Sequence, residues 1–569
     1  MEKRRFVVEL VKPSHYDNDG YVIQWMKSWI PSNTLACVYG IAQDAAQRQV
    51  LGPDIEIEIN AYDECHTIIP IKRIIQRIRK AGSGLVCMVG VQSNQFPRAV
   101  DIAAQFRAAG IPVALGGFHV SGCMSMLPEL PPDIAAARDM GIVLFAGEGE
   151  GRFDGLFADA FAGKMKPIYN YLNDLPGLQQ QVTPFLPKEI VRKYAATFGA
   201  FDAGRGCPFQ CSFCTIINVQ GRKSRWRDAD DIERVVRANV AQGVFRFFIT
   251  DDNFARNKNW ESILDRLIEM REKEGMHLRF LIQVDTMCHR IPNFIDKVAR
   301  AGCTHVYIGL ENINPDNLLA ANKRQNRVHE YRQMFLEWRK HKIITYAGYI
   351  LGFPNDTPER LARDIKTVQD ELPVDILEFL ILTPLPGSAD HKHAYEAGVW
   401  MDPDMNKYDL EHVTAHHQTM SDEEWYGIYR KAYDIYYSPE HIERTFRRAK
   451  ASGIKLVKLV NNIMEFYFTF VLEGVHPLQG GFFRRKLRNQ RRPGFPRENP
   501  LLFYPRRVWE TAVTHVRMLS CYLYLHRIRK KVERETQSFI DRALIPVPME
   551  AHSAGHDASA DAALAEAAA

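Results

Sequence analysis

Gly206-Cys207-Pro208-Phe209-Gln210-Cys211-Ser212-Phe213-Cys214 sets three cysteines within eight residues, spaced Cys-x3-Cys-x2-Cys. A tetrahedral structural zinc site needs a fourth sulfur or nitrogen ligand, which usually arrives as part of a second pair. A cubane iron–sulfur cluster can be held by three thiolates of one short loop, with one iron left open for a non-protein ligand. A half zinc site or chance clustering is the bland alternative. The other seven cysteines, Cys37, Cys65, Cys87, Cys123, Cys288, Cys303 and Cys521, are scattered singly and read as free, mostly buried thiols.

Outward from the loop, the residues just before it (198–203) read as an apolar strand. Further strands are expected at 245–250, 278–284, 304–309, 344–350 and 375–382, with helical segments at 230–241, 260–272, 292–301, 328–340 and 358–371 between them. Six such units make a partial TIM barrel, whose chemistry belongs at the carboxyl ends of its strands. The cysteine loop lies at that end of the first strand. After the second comes Thr250-Asp251-Asp252-Asn253-Phe254, whose carboxylates are too costly for a dry core and belong in a polar cavity or on a solvent-facing loop. Gly309-Leu310-Glu311-Asn312, Gly352-Phe353-Pro354 and Thr383-Pro384-Leu385-Pro386-Gly387-Ser388 end the fourth, fifth and sixth strands.

Residues 1–165 alternate short apolar strands (6–10, 55–59, 85–91, 113–115, 142–145) with amphipathic stretches such as 71–79 and 99–109. That rhythm predicts a parallel sheet covered on both faces, a doubly wound, flavodoxin-like domain with its ligand crevice at the carboxyl strand ends. Those ends carry Ser93-Asn94-Gln95, then Gly116-Gly117-Phe118-His119-Val120-Ser121, then Gly147-Glu148-Gly149-Glu150. Paired glycines let a backbone approach a flat ligand closely. Proline-punctuated residues 166–197 read as a linker, 198–400 as the barrel, 401–545 as a helical region, and the small, polar, alanine-rich 546–569 as a disordered tail. Within the helical region, 456–472 is an apolar stretch expected to form a buried helix.

The cysteine loop, with Phe213 before its last cysteine, resembles the radical S-adenosylmethionine (SAM) superfamily. The glycine-rich strand ends of residues 1–165, placed ahead of such a barrel, resemble the cobalamin-binding domain found in many of its members. The resemblance implies a 4Fe–4S cluster on Cys207, Cys211 and Cys214, with SAM chelated to the open iron and cleaved to a 5′-deoxyadenosyl radical. It assigns Phe213 to the cluster edge, Asp251 to the vicinity of SAM, Glu311 to the ribose diol, and Gly352 and Pro354 to the adenine. It further implies that Gly116, Gly117, His119 and Ser121 border the nucleotide tail of cobalamin. Many cobalamin domains carry Asp-x-His-x-x-Gly, whose histidine ligates cobalt. Here the matching strand end reads Asp63-Glu64-Cys65-His66-Thr67-Ile68-Ile69, with other spacing and no glycine, so cobalt is expected without a protein imidazole. A domain that packs on the barrel and binds nothing is the alternative.

The expected activity is therefore cobalamin-dependent C-methylation of an unactivated carbon in a lipid or secondary metabolite. Cyclisation, rearrangement or aminocarboxypropyl transfer on the same architecture is the enzymatic alternative, and a cobalamin or redox sensor the non-enzymatic one. Electrons would come from flavodoxin or ferredoxin. A net charge of +5 over 569 residues gives no reason to expect nucleic acid. The scattered thiols and the cluster suit a reducing cytoplasm. Basic residues among aromatics around 484–507 read most simply as a solvated basic face, and they also suit anionic lipid headgroups or RNA; the lipid reading adds peripheral membrane contact to the expectation.

Overall fold

The structure, a computed structural model, describes residues 4–546; the expected tail lies outside the described residues apart from residue 546. Its amino-terminal strands are β1 (Arg4–Lys12), β2 (Gln24–Ser28), β3 (Ile55–Asp63), β4 (Gly84–Met88), β5 (Val113–Gly116), β6 (Val143–Ala146) and β7 (Ile168–Asn170). All but β2 form one parallel sheet in the order β3-β1-β4-β5-β6-β7. This is the doubly wound, flavodoxin-like order, with the short β7 as an added edge inside the stretch read as linker. Strand residues alternate between two dry faces. Phe6, Val8, Leu10 and Cys87 share a core continuous with the second sheet, while Val7, Val11, Val86 and Met88 pack under the helices Ile71–Ala81 and Phe96–Ala108.

The second sheet runs β8 (Phe198–Phe201), β11 (Arg246–Ile249), β12 (Arg279–Val284), β13 (Cys303–Glu311), β14 (Ile344–Leu351) and β15 (Ile376–Ile381), in sequence order and parallel throughout. A small antiparallel pair, β9 (Gly204–Arg205) with β10 (Arg225–Trp226), brackets the cysteine loop. The outer strands β8 and β15 do not pair with each other, so this is the expected partial barrel. The free edge of β15 is covered by side chains of the helix Asp422–Tyr436 and its cap. The Tyr437 hydroxyl donates to Leu377 O at 2.9 Å and accepts from Leu377 N at 3.2 Å, and Tyr433 treats Phe379 in the same way. Hydroxyls that both donate and accept thus replace a missing strand.

The carboxyl ends of the two sheets face each other. Gly122, in the helix Phe118–Met126 after β5, lies so close to the turn after β15 that a Cβ there would sit 2.5 Å from Pro386 O. Gly387, at φ +101°, would place its own Cβ 2.7 Å from Gly122 Cα. The Pro-Leu-Pro-Gly run is therefore where the barrel docks on the amino-terminal domain.

The region after residue 400 is mainly helical, and the apolar stretch 456–472 forms two helical segments joined by a π-turn at Met464–Phe468, with one side buried through Leu459, Val460, Ile463 and Phe470 while Val457 and Val471 are exposed. This helical region also contains a strand. β16 (Gly481–Arg485) pairs antiparallel with β2, joining residues more than 450 positions apart. Each strand has too little local pattern to announce a partner so distant in sequence, and neither is stable alone.

Candidate active site

The cysteine loop is shaped before any ligand arrives. Gly206 has φ +89°, and a Cβ there would strike Lys223 O at 2.5 Å. Cys207 N donates to Gly221 O at 3.3 Å, Ser212 N to Ala321 O at 3.0 Å, and Asp390 N to Ser212 O at 3.1 Å. The loop is thus fastened to segments beyond β13 and beyond β15. Burial pushes the Cys207 and Cys214 thiols up to about 12, and charge on Cys211 pushes the same way. Thiols raised in this way become thiolates only when a cationic centre replaces their protons. Among the described residues, no three Cys, His, Asp or Glu side chains close on a single ion. This donor set fits a cluster of several metal atoms and offers no fourth ligand for zinc.

Around the loop stand the residues expected from sequence, together with some that were not. The Phe213 ring meets Phe353 edge-on at 6.3 Å and packs with Ala321 and Ile350, making an apolar wall beside the cysteines. Gly352 has φ +108° because a Cβ would run into the Trp425 indole. Gly352 N and Phe353 N both donate to Asp356 Oδ2 at 2.9 Å, while Pro354 is exposed at the strand's mouth. Glu311, at φ +61°, folds its carboxylate back over Gly309, whose missing side chain leaves the room, and pairs with Lys323. Lys323 was not foreseen. Its ammonium lies 5.6 Å over the Phe213 ring, and burial, which disfavours its charge, is outweighed by Glu311 and Cys211. Gln325 Nε2 reaches Cys211 Sγ at 3.5 Å.

The two carboxylates after β11 have separate surroundings. Asp251 accepts from Ala203 N at 2.7 Å and from Asn257 Nδ2 at 2.9 Å, so it braces the turn that leads into the loop. Asp252 is reached by solvent yet ringed by protein, which pushes its carboxyl up to about 7, and its charge raises both the Cys207 and Cys214 thiols. Asp285, at the end of β12, holds Arg256 at 2.7 and 3.0 Å, and the Arg256 guanidinium lies 5.5 Å over the Phe209 ring.

A cavity of about 160 Å³ opens at the carboxyl ends of the amino-terminal sheet. Gly116, Gly117 and Ser121 line it, with the apolar Ile41, Phe145 and Leu156, and so do Arg205, Val219 and Gln220 from either end of the cysteine loop. Glycine backbone on one side and apolar side chains on the other fit a flat aromatic group. At Gly117 the backbone passes so close to Val91 that a Cβ would lie 2.2 Å from Val91 N. His119 is committed elsewhere, to Ser93 Oγ at 3.2 Å and Asp133 Oδ2 at 2.9 Å. His66 lies outside the cavity, edge-on to Tyr194 at 4.7 Å.

Glu148 and Glu150 line the same cavity, where the sequence placed a ligand crevice, and they also join the two halves of the molecule. Arg205 binds Glu148 at 2.6 Å, Glu150 at 2.7 Å and Asp202 at 3.0 Å, and Arg225 binds Glu148 as well. Burial works against the Arg205 charge, and Asp202, Glu150 and Glu148 overcome it. Burial would likewise raise Asp202, but Arg205 and Arg227 hold it below the usual carboxylate range.

Below the cysteine loop, β13 and β15 bring together a buried polar group. Tyr307 Oη and Glu378 Oε2 are 3.2 Å apart, and Gly348 between them leaves space for the phenol. Burial pushes Glu378 up to about 8 and His476, 3.6 Å away, down to about 4. At neutral pH this is a protonated carboxyl beside a neutral imidazole, not an ion pair.

Fold and site together have the form of a radical SAM barrel with its cysteine loop. A family profile for the radical SAM superfamily matches residues 203–368. Over 302 residues the chain is 29% identical to the bacteriochlorophyllide d C-12(1)-methyltransferase of Chlorobaculum tepidum, covering 51% of this chain and 61% of that one. It is 25% identical over 300 residues to the hopanoid C-2 methylase of Rhodopseudomonas palustris, covering 50% and 53% respectively, so the matches span little more than half of these relatives' lengths. The fold is shared with the radical SAM methyltransferase TsrM of Kitasatospora setae, solved with cobalamin and a [4Fe–4S] cluster, at a TM-score of 0.53 and 16% identity over 69% of this chain and 78% of that one. Residues 203–368 are thus a radical SAM domain, and the amino-terminal domain ahead of it shares its fold with the corresponding part of that solved structure. A radical SAM domain implies a 4Fe–4S cluster and SAM, and enzymes of this class act on small molecules with electrons from a reductant.

The titration of Glu378 gives a measurable consequence. Its folded-state pKa stands above the unfolded value, so its contribution to stability is complete below about pH 4.5 and is lost as pH rises through about 8. Glu378→Gln keeps the shape and an acceptor for Tyr307 but cannot ionise. Thermal unfolding of the two proteins from pH 5 to 8.5 should show the variant's melting temperature gaining on the wild type as pH rises.

Proposed function

We propose that the protein is a cobalamin-dependent radical SAM C-methyltransferase acting on an unactivated carbon of an apolar, polycyclic or lipid substrate. The observation that carries this reading is Arg205, which lines the cavity of the amino-terminal domain and precedes Cys207 by two residues. The cavity and the cysteine loop therefore share a wall, and groups bound at each would face one substrate. When bound, the cofactors supply reductive SAM cleavage, hydrogen abstraction and a transferable methyl group. The chain supplies placement and dryness. Cys207, Cys211 and Cys214 hold the cluster, Lys323 sets a positive charge beside it, and Glu311 stands ready to accept ribose hydroxyls. Phe213 and Phe353 keep water from the cluster's edge, and the neutral Tyr307–Glu378–His476 group adds no fixed charge. Bacteriochlorophyllide and hopanoid, named for the two relatives, are large apolar ring systems, which supports that substrate class. Flavodoxin or ferredoxin is the proposed electron donor, and a lipid substrate would bring peripheral contact with a bilayer.

Mass spectrometry of SAM products after anaerobic reconstitution tests the reaction. Deoxyadenosine together with S-adenosylhomocysteine is expected. Deoxyadenosine alone would point to other radical chemistry, and methylthioadenosine to aminocarboxypropyl transfer. Changing the three cysteines to alanine should abolish both the cluster and SAM cleavage.

Glu311→Gln keeps the side chain's shape but replaces a charge-assisted hydrogen bond worth about 1.5–3 kcal/mol. Equilibrium dialysis with SAM should show affinity about one to two decades lower, while the cluster's absorbance stays the same.

Cobalamin binding is checked by incubation with hydroxocobalamin, gel filtration and an absorbance spectrum. Thr34 is exposed and lines the cavity, so Thr34→Trp should fill it and leave little cobalamin retained. His66→Ala should leave the bound spectrum unaltered; a lost histidine-ligated cobalt signal would show that His66 is a ligand after all.

A further inference from the structure

The helix Pro500–Arg534 has apolar side chains on two opposite sides along its first half. Its inner side is anchored to the protein, by Phe503 at the start and by Leu525, Ile528 and Val532 farther along. The outer side carries Leu501, Val508, Trp509, Val516, Leu519 and Leu523, and Leu501, Val508 and Trp509 are 80%, 71% and 71% exposed. At about 3.6 residues per turn these six lie on one face, opposite Phe503. The charged residues between 501 and 523 (Arg506, Arg507, Glu510 and Arg517) fall on its margins or on the inner side. Beside the helix, the β2–β16 ribbon exposes Phe482, and Phe483 stacks on His515 with ring centroids 4.5 Å apart. Contiguous apolar surface of this extent marks a contact with something.

We propose that this face lies on an anionic lipid surface, with the helix in the plane of the interface. Charge complementarity selects that occupant. Of the ten arginines and lysines in residues 484–517, Arg484, Lys486 and Arg492 pair with Asp17, Asp19 and Asp404, and Arg491, Arg506 and Arg507 with Glu498 and Glu510, which leaves Arg485, Arg488, Arg497 and Arg517 in no ion pair among the described residues. Arg506 and Arg517 flank the apolar face, where long basic side chains can reach headgroups while the face itself enters the acyl boundary. Tyr504 and Trp509 are of the kind that settles at the membrane–water boundary. A helix pairing with a second copy of itself would want a regular Leu/Ile seam, whereas this face is interrupted by Pro505 and Trp509. Among the described residues no helix is long and apolar enough to cross a membrane, so the contact is from one side. The surface deepens the lipid-substrate reading but does not depend on it, because vesicle binding is read without turnover.

The test is flotation of the full-length, anaerobically purified protein with vesicles of phosphatidylcholine alone or mixed with phosphatidylglycerol. Binding to the mixed vesicles is expected, weakened by salt, with much less on phosphatidylcholine. The double variant Trp509→Glu, Val516→Glu alters only exposed positions. It should bind at least about tenfold more weakly while keeping its circular dichroism and iron content. Sedimentation velocity over a range of protein concentrations examines self-association. Absence of binding to mixed vesicles, equal binding by the double variant, or a dimer that this variant disperses would each overturn the proposal.

Discussion

Arg205 is held by Asp202 of its own strand end and by Glu148 and Glu150 of the other domain, all four side chains almost wholly buried. A buried ion network of this kind is a poor source of net stability, because desolvation consumes most of the Coulombic gain. It is a strong source of geometry. Removing one partner leaves an uncompensated charge in a dry seam, typically at a cost of about 3–5 kcal/mol, so the halves have one favourable relative placement. Arg225 joins the same network from the strand that closes the loop. Both ends of the cysteine loop are therefore referred to the amino-terminal domain, and the Gly122–Gly387 contact fixes a second point of the same seam.

That fixed placement explains where the irregular backbone lies. In each parallel sheet the strands deliver their carboxyl ends to one side, and here those sides oppose each other. Gly117, Gly206, Gly352 and Gly387 have positive φ and stand at these ends, each because a neighbour occupies the place of a Cβ. Glu311 is the instructive exception, since a side chain with a Cβ holds φ +61° there. A strained residue of this sort costs about 1–3 kcal/mol and persists only where its surroundings over-determine it. The Lys323 pair and the space over Gly309 do so here, which aims the carboxylate into the site and not along the strand.

Much of this was legible in the sequence. Short apolar runs separated by amphipathic stretches located both parallel sheets, since strands buried on both faces need no polar alternation. The cysteine spacing located the chemistry. What escaped depends on contacts that no local pattern encodes. Gly147-Glu148-Gly149-Glu150 does line the crevice read from the sequence, but its arginine partners could not be read, because they sit in a two-residue strand pair that exists only once the loop is folded. The unlike surroundings of Asp251 and Asp252 were closer to readable, because consecutive residues in extended backbone point to opposite sides. Lys323 lies in an unpatterned turn and becomes significant only where that turn meets Phe213. The short β7 was lost among prolines, and β16 required a partner near the other end of the chain.

The distribution of charge through the molecule follows from the same seam. Ionised groups gather where the sheets meet and at the mouth of the barrel, while farther inside, Glu378 is kept neutral by burial and stands against Tyr307 and a neutral His476. A carbon radical takes hydrogen from nearly any partner, so selectivity rests on what can come within van der Waals reach. Fixed charge deep in the barrel would draw water into that space. A buried carboxyl held neutral beside a phenol and an imidazole keeps hydrogen-bonding capacity there without that charge. The carboxy-terminal segment completes this interior from the open side of the barrel, with Phe466 against Tyr346 at 4.8 Å and His476 beside Glu378. The same segment continues through β16 to the helix with the exposed apolar face, so the wall of the reaction space and the outer surface belong to one stretch of chain.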